Sequence, residues 1–152
     1  MKLALVLVAL ATASAHADRP VHGSLGGGSA LLLTAQDDKR LRYELELDIE
    51  PGSRYGGLLA WRGFDRDHRG MLLGGLMFEG AAARPRLVVN LHVDVGADLD
   101  QKAPVIGSGI RTTLTLYKLL GLAFDTGAYL VIDGVDDTRL RLMGSTSLVV
   151  RW

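Results

Sequence analysis

The chain has 152 residues, 17 basic and 17 acidic side chains, and no cysteine. That length is one domain, zero net charge argues against a nucleic-acid partner, which needs a basic surface, and an exported chain without cysteine must be held by a core or a membrane rather than by disulfides. Beyond the first residues there is no uncharged apolar run of roughly 18 residues, which argues against a helical membrane protein.

Met1–Ala17 reads as a secretory signal. Lys2 supplies the positive start, Leu3 to Ala13 a short apolar run, and Ala15-His16-Ala17 a small-x-small cleavage site. The run is too short to span a bilayer, which takes about 20 residues. Cleavage near Ala17 is expected to leave Asp18–Trp152 as the mature domain.

Eight strands are expected in that domain. The first covers His22–Ala35 and is glycine-rich. In the second, Arg40–Glu50, Leu41, Tyr43, Leu45, Leu47 and Ile49 alternate with Arg42, Glu44, Glu46, Asp48 and Glu50. A helix would spread those charges all round its surface, so the period of two means strand. The third is Tyr55–Phe64, with Leu59 and Trp61 opposite Arg62. The fourth, Gly70–Gly80, is apolar on both faces until Glu79, and a buried helix competes there.

The fifth, Arg86–Gly96, sets Leu87, Val89, Leu91, Val93 and Val95 against Arg86, Asn90, His92 and Asp94. The sixth, Ile106–Tyr117, sets Ile110, Leu114 and Leu116 against Arg111 and Tyr117. The seventh, Gly121–Asp133, sets Leu122, Phe124, Leu130 and Ile132 against Asp125 and Tyr129. The eighth runs from Leu140 to Trp152, with Leu140, Leu142, Leu148, Val150 and Trp152 opposite Arg139, Arg141, Ser145, Ser147 and Arg151. The 19 glycines, many inside these stretches, suit the bends and close approaches of a small barrel.

The connections alternate in character. Gln36–Lys39, Asp65–Arg69, Ala97–Pro104 and Gly134–Thr138 are polar and acid-rich, whereas Pro51–Ser53, Ala82–Pro85 and Lys118–Leu120 are short and nearly acid-free. Up-and-down strands would put the first set at one end and the second at the other, with both termini. Alternation alone fits a soluble barrel with an apolar core or a membrane barrel with an apolar exterior. Strands of this length, charges of both signs on the polar faces and aromatics near strand ends (Tyr55, Phe124, Trp152 at one end, Trp61 and Tyr43 at the other) favour the membrane form. The expected fold is therefore all-β, a single antiparallel up-and-down transmembrane barrel.

Leu148-Val149-Val150-Arg151-Trp152 resembles the C-terminal signal of bacterial outer-membrane barrels, in which an aromatic end and alternating apolar residues are read by the barrel-assembly machinery. The segment Tyr117–Phe124 resembles their short periplasmic turns. The pattern is most similar to small eight-stranded barrels of the OmpA/OmpX type, with two departures: a terminal Trp where Phe is commoner, and short outer loops. The resemblance implies residence in the outer membrane, lipids and the assembly machinery as partners, and Leu148, Val150 and Trp152 as the assembly signal.

Catalytic chemistry finds little support. His92, Asn90 and Asp94 share a face with Ser145 and Ser147, but His92 and Asp94 stand about 6.6–7 Å apart along one strand, too far to pair unless their side chains bend together. Asp65-Arg66-Asp67-His68-Arg69-Gly70 resembles half a calcium loop, yet position five is Arg and position twelve is Leu76. Loose cation binding by Asp98 and Asp100, or by Asp136 and Asp137, is weaker than a solvated-loop reading. Gly23–Gly28 lacks the Lys-Ser/Thr and the helix of a phosphate loop. No metal, cofactor or catalytic residue is assigned. The interior is expected to be a polar network of Arg42, Glu44, Glu46, Arg62, Asp94, Arg111, Asp125 and Arg141, paired because buried charges must be. Eight strands leave room for side chains and little else, so a plugged barrel is expected. The role is then structural or surface-interacting, with a narrow pore or lumen-binding protein as the alternative. A lipid-modifying enzyme or a soluble periplasmic ligand-binding barrel stands behind those.

Overall fold

The structure is a computed structural model and describes residues 22–34, 41–50, 54–80, 86–134 and 137–152. The expected signal segment, Pro51–Ser53, Ala82–Pro85, Gln36–Lys39 and Asp136 lie outside these residues. Eight strands form: β1 (His22–Leu32), β2 (Leu41–Glu50), β3 (Tyr55–Phe64), β4 (Met71–Glu79), β5 (Leu87–Asp98), β6 (Ala103–Tyr117), β7 (Leu120–Ile132) and β8 (Thr138–Arg151). Each pairs antiparallel with its neighbours in chain order, and β8 returns to β1, closing a barrel.

The closing seam runs from Ser24 opposite Arg151 to Leu32 opposite Met143. Trp152 and Gly23 exchange backbone hydrogen bonds at its end, 3.0 and 3.2 Å. Gly28 shows why β1 is glycine-rich there. A Cβ on it would run into the Thr146 carbonyl and the Ser147 backbone, so β1 and β8 approach closely only without a side chain.

β4 is a strand, not a helix, and its inward residues Met71, Leu73 and Met77 are buried like core. The ambiguity in its sequence has a physical cause: its inner face is also apolar. Two boundaries also move. β5 continues to Asp98 and β6 begins at Ala103, so the connection expected over Ala97–Pro104 shrinks to 99–102. The Lys118–Leu119 turn is shorter still, two residues, and Lys118 takes a left-handed conformation (φ 44°) to make it.

Burial follows the alternation, with the charges inside. Leu91, Val93 and Val95 are exposed on β5, Leu91 by 51%, while the intervening His92 and Asp94 are 1% and 0% exposed. The same holds on β2, where Leu45 is exposed and Glu44 and Glu46 are buried. Toward the loop-side ends of their strands, Ala30, Met71, Leu73, Ala103, Val105, Val131 and Met143 pack with Tyr129 into an apolar cluster inside the barrel. A smaller cluster, Leu58, Ala60 and Met77, lies on β3 and β4.

Candidate functional site

The polar interior is the only concentration of charged chemistry among the buried groups described. It is built by inward positions of β2, β3, β5, β6, β7 and β8. All eight residues expected in the network point inward. Six are buried, Glu44, Glu46, Arg62, Asp94, Arg111 and Asp125, and Arg42 and Arg141 are half-buried nearer the loops.

The residues gather into two centres. In the first, Arg62 meets Asp125 with two hydrogen bonds, Nη1 to Oδ1 at 3.1 Å and Nη2 to Oδ2 at 2.8 Å. Paired, planar bonds of this kind are the strong form of a charge pair. The Arg62 Nε lies 3.4 Å from Glu44, and its Nη1 also donates to the Tyr129 hydroxyl. His92 joins the same centre, with Nδ1 2.7 Å from Asp94 and Nε2 3.2 Å from Asp125. In the second centre Arg111 pairs with Glu46 and, at 3.1 Å, with Asp48, whose other contact is the Ser24 hydroxyl at 2.6 Å.

His92 and Asp94 thus pair directly, contrary to the strand-spacing expectation. Their side chains bend toward each other, and the geometry of the inner wall allows it. Gly75, Gly107 and Gly109 present no side chain where Asp94, Tyr129 and His92 lie. The pairing does not make a triad. Both imidazole nitrogens face carboxylates, so neither is left to act on a serine. Ser145 and Ser147 do point inward, but among the described residues Ser147 Oγ has no hydrogen-bond partner and no Ser–His contact forms.

Sequence reasoning leaves Asp48, His92, Tyr129 and Asp98 out of the network. Asp48, His92 and Tyr129 are legible as inward-facing, but their partners are not. Asp98 falls in an expected loop. In the structure it ends β5, accepts the backbone N–H groups of Asp100 and Gln101 at 2.9 and 2.8 Å, and pairs with Arg141.

The loop end is stitched by similar contacts. Asp100 reaches the neighbouring loop and accepts the N–H groups of Arg69 (2.7 Å) and Gly70 (3.1 Å). Asp65 accepts those of Asp67 and His68 within its own turn, 2.9 and 2.8 Å. The Asp67 N–H, then that of His68 and the Arg42 cation, hold the Asp65 carboxyl below its usual range. The Arg139 guanidinium does the same for Asp137. No group of three or more metal-ligating side chains forms among the described residues.

Outside the wall, aromatics mark both ends. Trp61 stacks on Phe64 at 4.2 Å between ring centres, Tyr43 leans on Phe64 at 5.8 Å, and the Trp61 Nε1 donates to the Arg69 carbonyl at 2.6 Å. Tyr55 meets Phe78 edge-on at the opposite end.

No protein-family model matches this chain. A search of curated proteins finds no match either.

Proposed function

We propose that this chain is a bacterial outer-membrane β-barrel with a structural or surface-interaction role and a lumen closed by its own side chains. The observation that carries the reading is the inverted burial. Charged side chains are buried in ion pairs, while Leu25, Leu45, Leu59, Leu91, Leu130 and Leu148 stand open to the surroundings. Water as the surroundings would reverse that preference; hydrocarbon accounts for it, and barrel closure satisfies every strand edge, as hydrocarbon requires. Strands of 9 to 15 residues reach the roughly 9–11 needed to cross when tilted.

Export would follow from removal of Met1–Ala17, with the acid-rich connections facing outward and the short turns facing the periplasm. Membrane lipids contact the aliphatic face. Leu148, Val150 and Trp152, all on the outer face, serve the assembly machinery. Catalysis by His92 has no support in the lumen, because both of its ring nitrogens are committed to carboxylates. The plugged form is favoured over a narrow pore by the apolar cluster around Met71, Leu73 and Met143, which fills space inside the barrel near the loops.

The test is electrophoretic mobility, with and without boiling, of outer-membrane and periplasmic fractions. Membrane partition with a heat-dependent shift supports the reading. Recovery in the periplasm without a shift overturns it and makes a soluble ligand-binding barrel the leading account.

A further inference from the structure

Two carboxyls stand side by side in the lumen with too few donors around them. Glu44 and Glu46 point inward from β2 and are 1% and 3% exposed. The Glu44 carboxyl faces that of Glu46 and the Ser145 hydroxyl on β8. Among the described residues, neither Glu44 oxygen accepts a hydrogen bond, and neither does Glu46 Oε1. The Glu46 Oε1 lies against the bare backbone of Gly26, with the Val149 side chain beside it, so β1 and β8 close that side without a donor. Ser147 stands across Gly28 from Glu44. It too is buried, and its hydroxyl has no partner.

The cations around the pair are already divided. On β3, Arg62 gives both terminal nitrogens to Asp125, and only its Nε stands near Glu44, at 3.4 Å. On β6, Arg111 is shared between Glu46 and Asp48, and Ser24 on β1 also serves Asp48. On β5, His92 is held between Asp94 and Asp125 of β7. Arg42, two residues before Glu44, has Asp65 at 3.7 Å. The inward residues of β4, Met71, Leu73 and Met77, are apolar. Arg62 and Arg111 thus serve four carboxyls.

A buried carboxylate without donors is costly, and two of them side by side add their repulsion, which one proton removes. Carboxylates only accept, so a hydrogen bond between them needs a proton. A metal ion would need further ligands, and among the described residues no group of three metal-ligating side chains gathers. A proton needs only the two facing oxygens.

We propose that Glu44 and Glu46 bind one proton between them at neutral pH, as a proton-binding site inside the lumen. Glu46 keeps Arg111 on Oε2 and accepts the shared proton's hydrogen bond on Oε1. The pair is buried whether lipid or water surrounds the barrel, so its proton does not depend on the membrane reading. Alkali removes the proton, leaves two like charges together and loosens the barrel from inside.

Infrared spectra of the refolded protein in detergent, recorded at neutral pH, read the proton directly, because a neutral carboxyl has a C=O stretch apart from the carboxylate bands. The wild type is expected to show such a band, and Glu44→Gln and Glu46→Gln each to lose it. Gln keeps the shape of the neutral acid, so both variants are expected to refold. Urea unfolding across pH is the second readout. The folded chain holds the proton and the unfolded chain does not. Raising the pH should therefore raise the unfolding constant of the wild type, relative to that of Glu44→Gln, about tenfold per pH unit above the ordinary carboxylate range. No band in the wild type, a band undiminished in both variants, or parallel pH profiles each overturn the proposal. So does a wild-type stability that is higher in sodium than in tetramethylammonium salt at equal ionic strength and loses that difference in Glu44→Gln, which would give the pair to a metal cation.

Discussion

Arg62 and Asp125 join opposite walls of the barrel. Their strands, β3 and β7, stand four places apart in a ring of eight, yet the guanidinium and carboxylate meet in two hydrogen bonds at 2.8 and 3.1 Å. The lumen is therefore no wider than two side chains laid end to end, the dimension expected of eight strands.

Removing one partner leaves the other charged and buried. Asp125→Leu or Arg62→Met alone should destabilise the folded barrel by about 3–5 kcal/mol, the usual cost of breaking a buried pair. The double variant Arg62→Met with Asp125→Leu should recover much of that loss, because a buried ion pair and an apolar pair of similar volume are often close in energy. Urea unfolding of the refolded protein measures all three, and additive losses in the double variant would contradict the pairing.

The two faces predict opposite responses to substitution. Leu91→Arg should cost about 2–4 kcal/mol if Leu91 meets lipid near the midplane. A soluble core would suffer too, so Glu44→Leu is the deciding partner. On a solvated face that change would fall within about 0.5 kcal/mol. Inside the lumen, beside Arg62, it should cost about 1–3 kcal/mol. Denaturation midpoints of both variants decide between the two designs.

Planar-bilayer recording should find the wild-type barrel silent. Met71, Leu73, Val105, Val131 and Met143 pack inside the lumen near the loops, and the ion pairs of Arg62 with Asp125 and of Arg111 with Glu46 are buried in the rest of it. Leu73→Ala should cost about 2–5 kcal/mol as a cavity and should be the first variant to show current. Steady wild-type conductance would put the narrow-pore reading first.

The loop turn around Asp65 should respond to acid. Its carboxyl is held below the usual range by the N–H groups of Asp67 and His68. A depressed folded pKa means that the stabilisation is full above the unfolded value and disappears as pH falls through the folded one. Amide exchange at Asp67 and His68 should accordingly stay slow at neutral pH and speed up only below the ordinary carboxylate range. Asp65→Asn keeps an accepting oxygen and should preserve the turn at all pH values, whereas Asp65→Ala should lose it throughout. Exchange rates that ignore pH in the wild type would argue against the carboxylate contact.

Strand number and facing are legible in the sequence because they depend on local alternation. Arg42, Glu44 and Glu46 can be placed on one shared face from β2 alone, and that face turns inward only once the membrane form is preferred. Pairing is not legible, because partners lie far apart in the chain: Arg62 to Asp125, Arg111 to Glu46. His92 shows the limit most clearly. Backbone spacing puts Asp94 out of its reach, yet the two meet, because glycines on β4 and β6 make the space in which both side chains turn. The inward apolar set is hidden for a different reason. Met71 and Leu73 look like any outward aliphatic until the register fixes which face of β4 they occupy, and the register is a property of the neighbours β3 and β5.

The seam between β1 and β8 makes Trp152 and Gly23 partners, so the first and last described strands must find each other across nearly the whole described sequence. Contacts of such long separation form slowly, since chain entropy is lost before they repay it. Until they form, β1 and β8 are two unpaired edges, each able to recruit a stray strand from another molecule. The time spent with that seam open, more than the strength of any ion pair inside, would set how much of the newly made protein reaches its final form and how much is lost to aggregation.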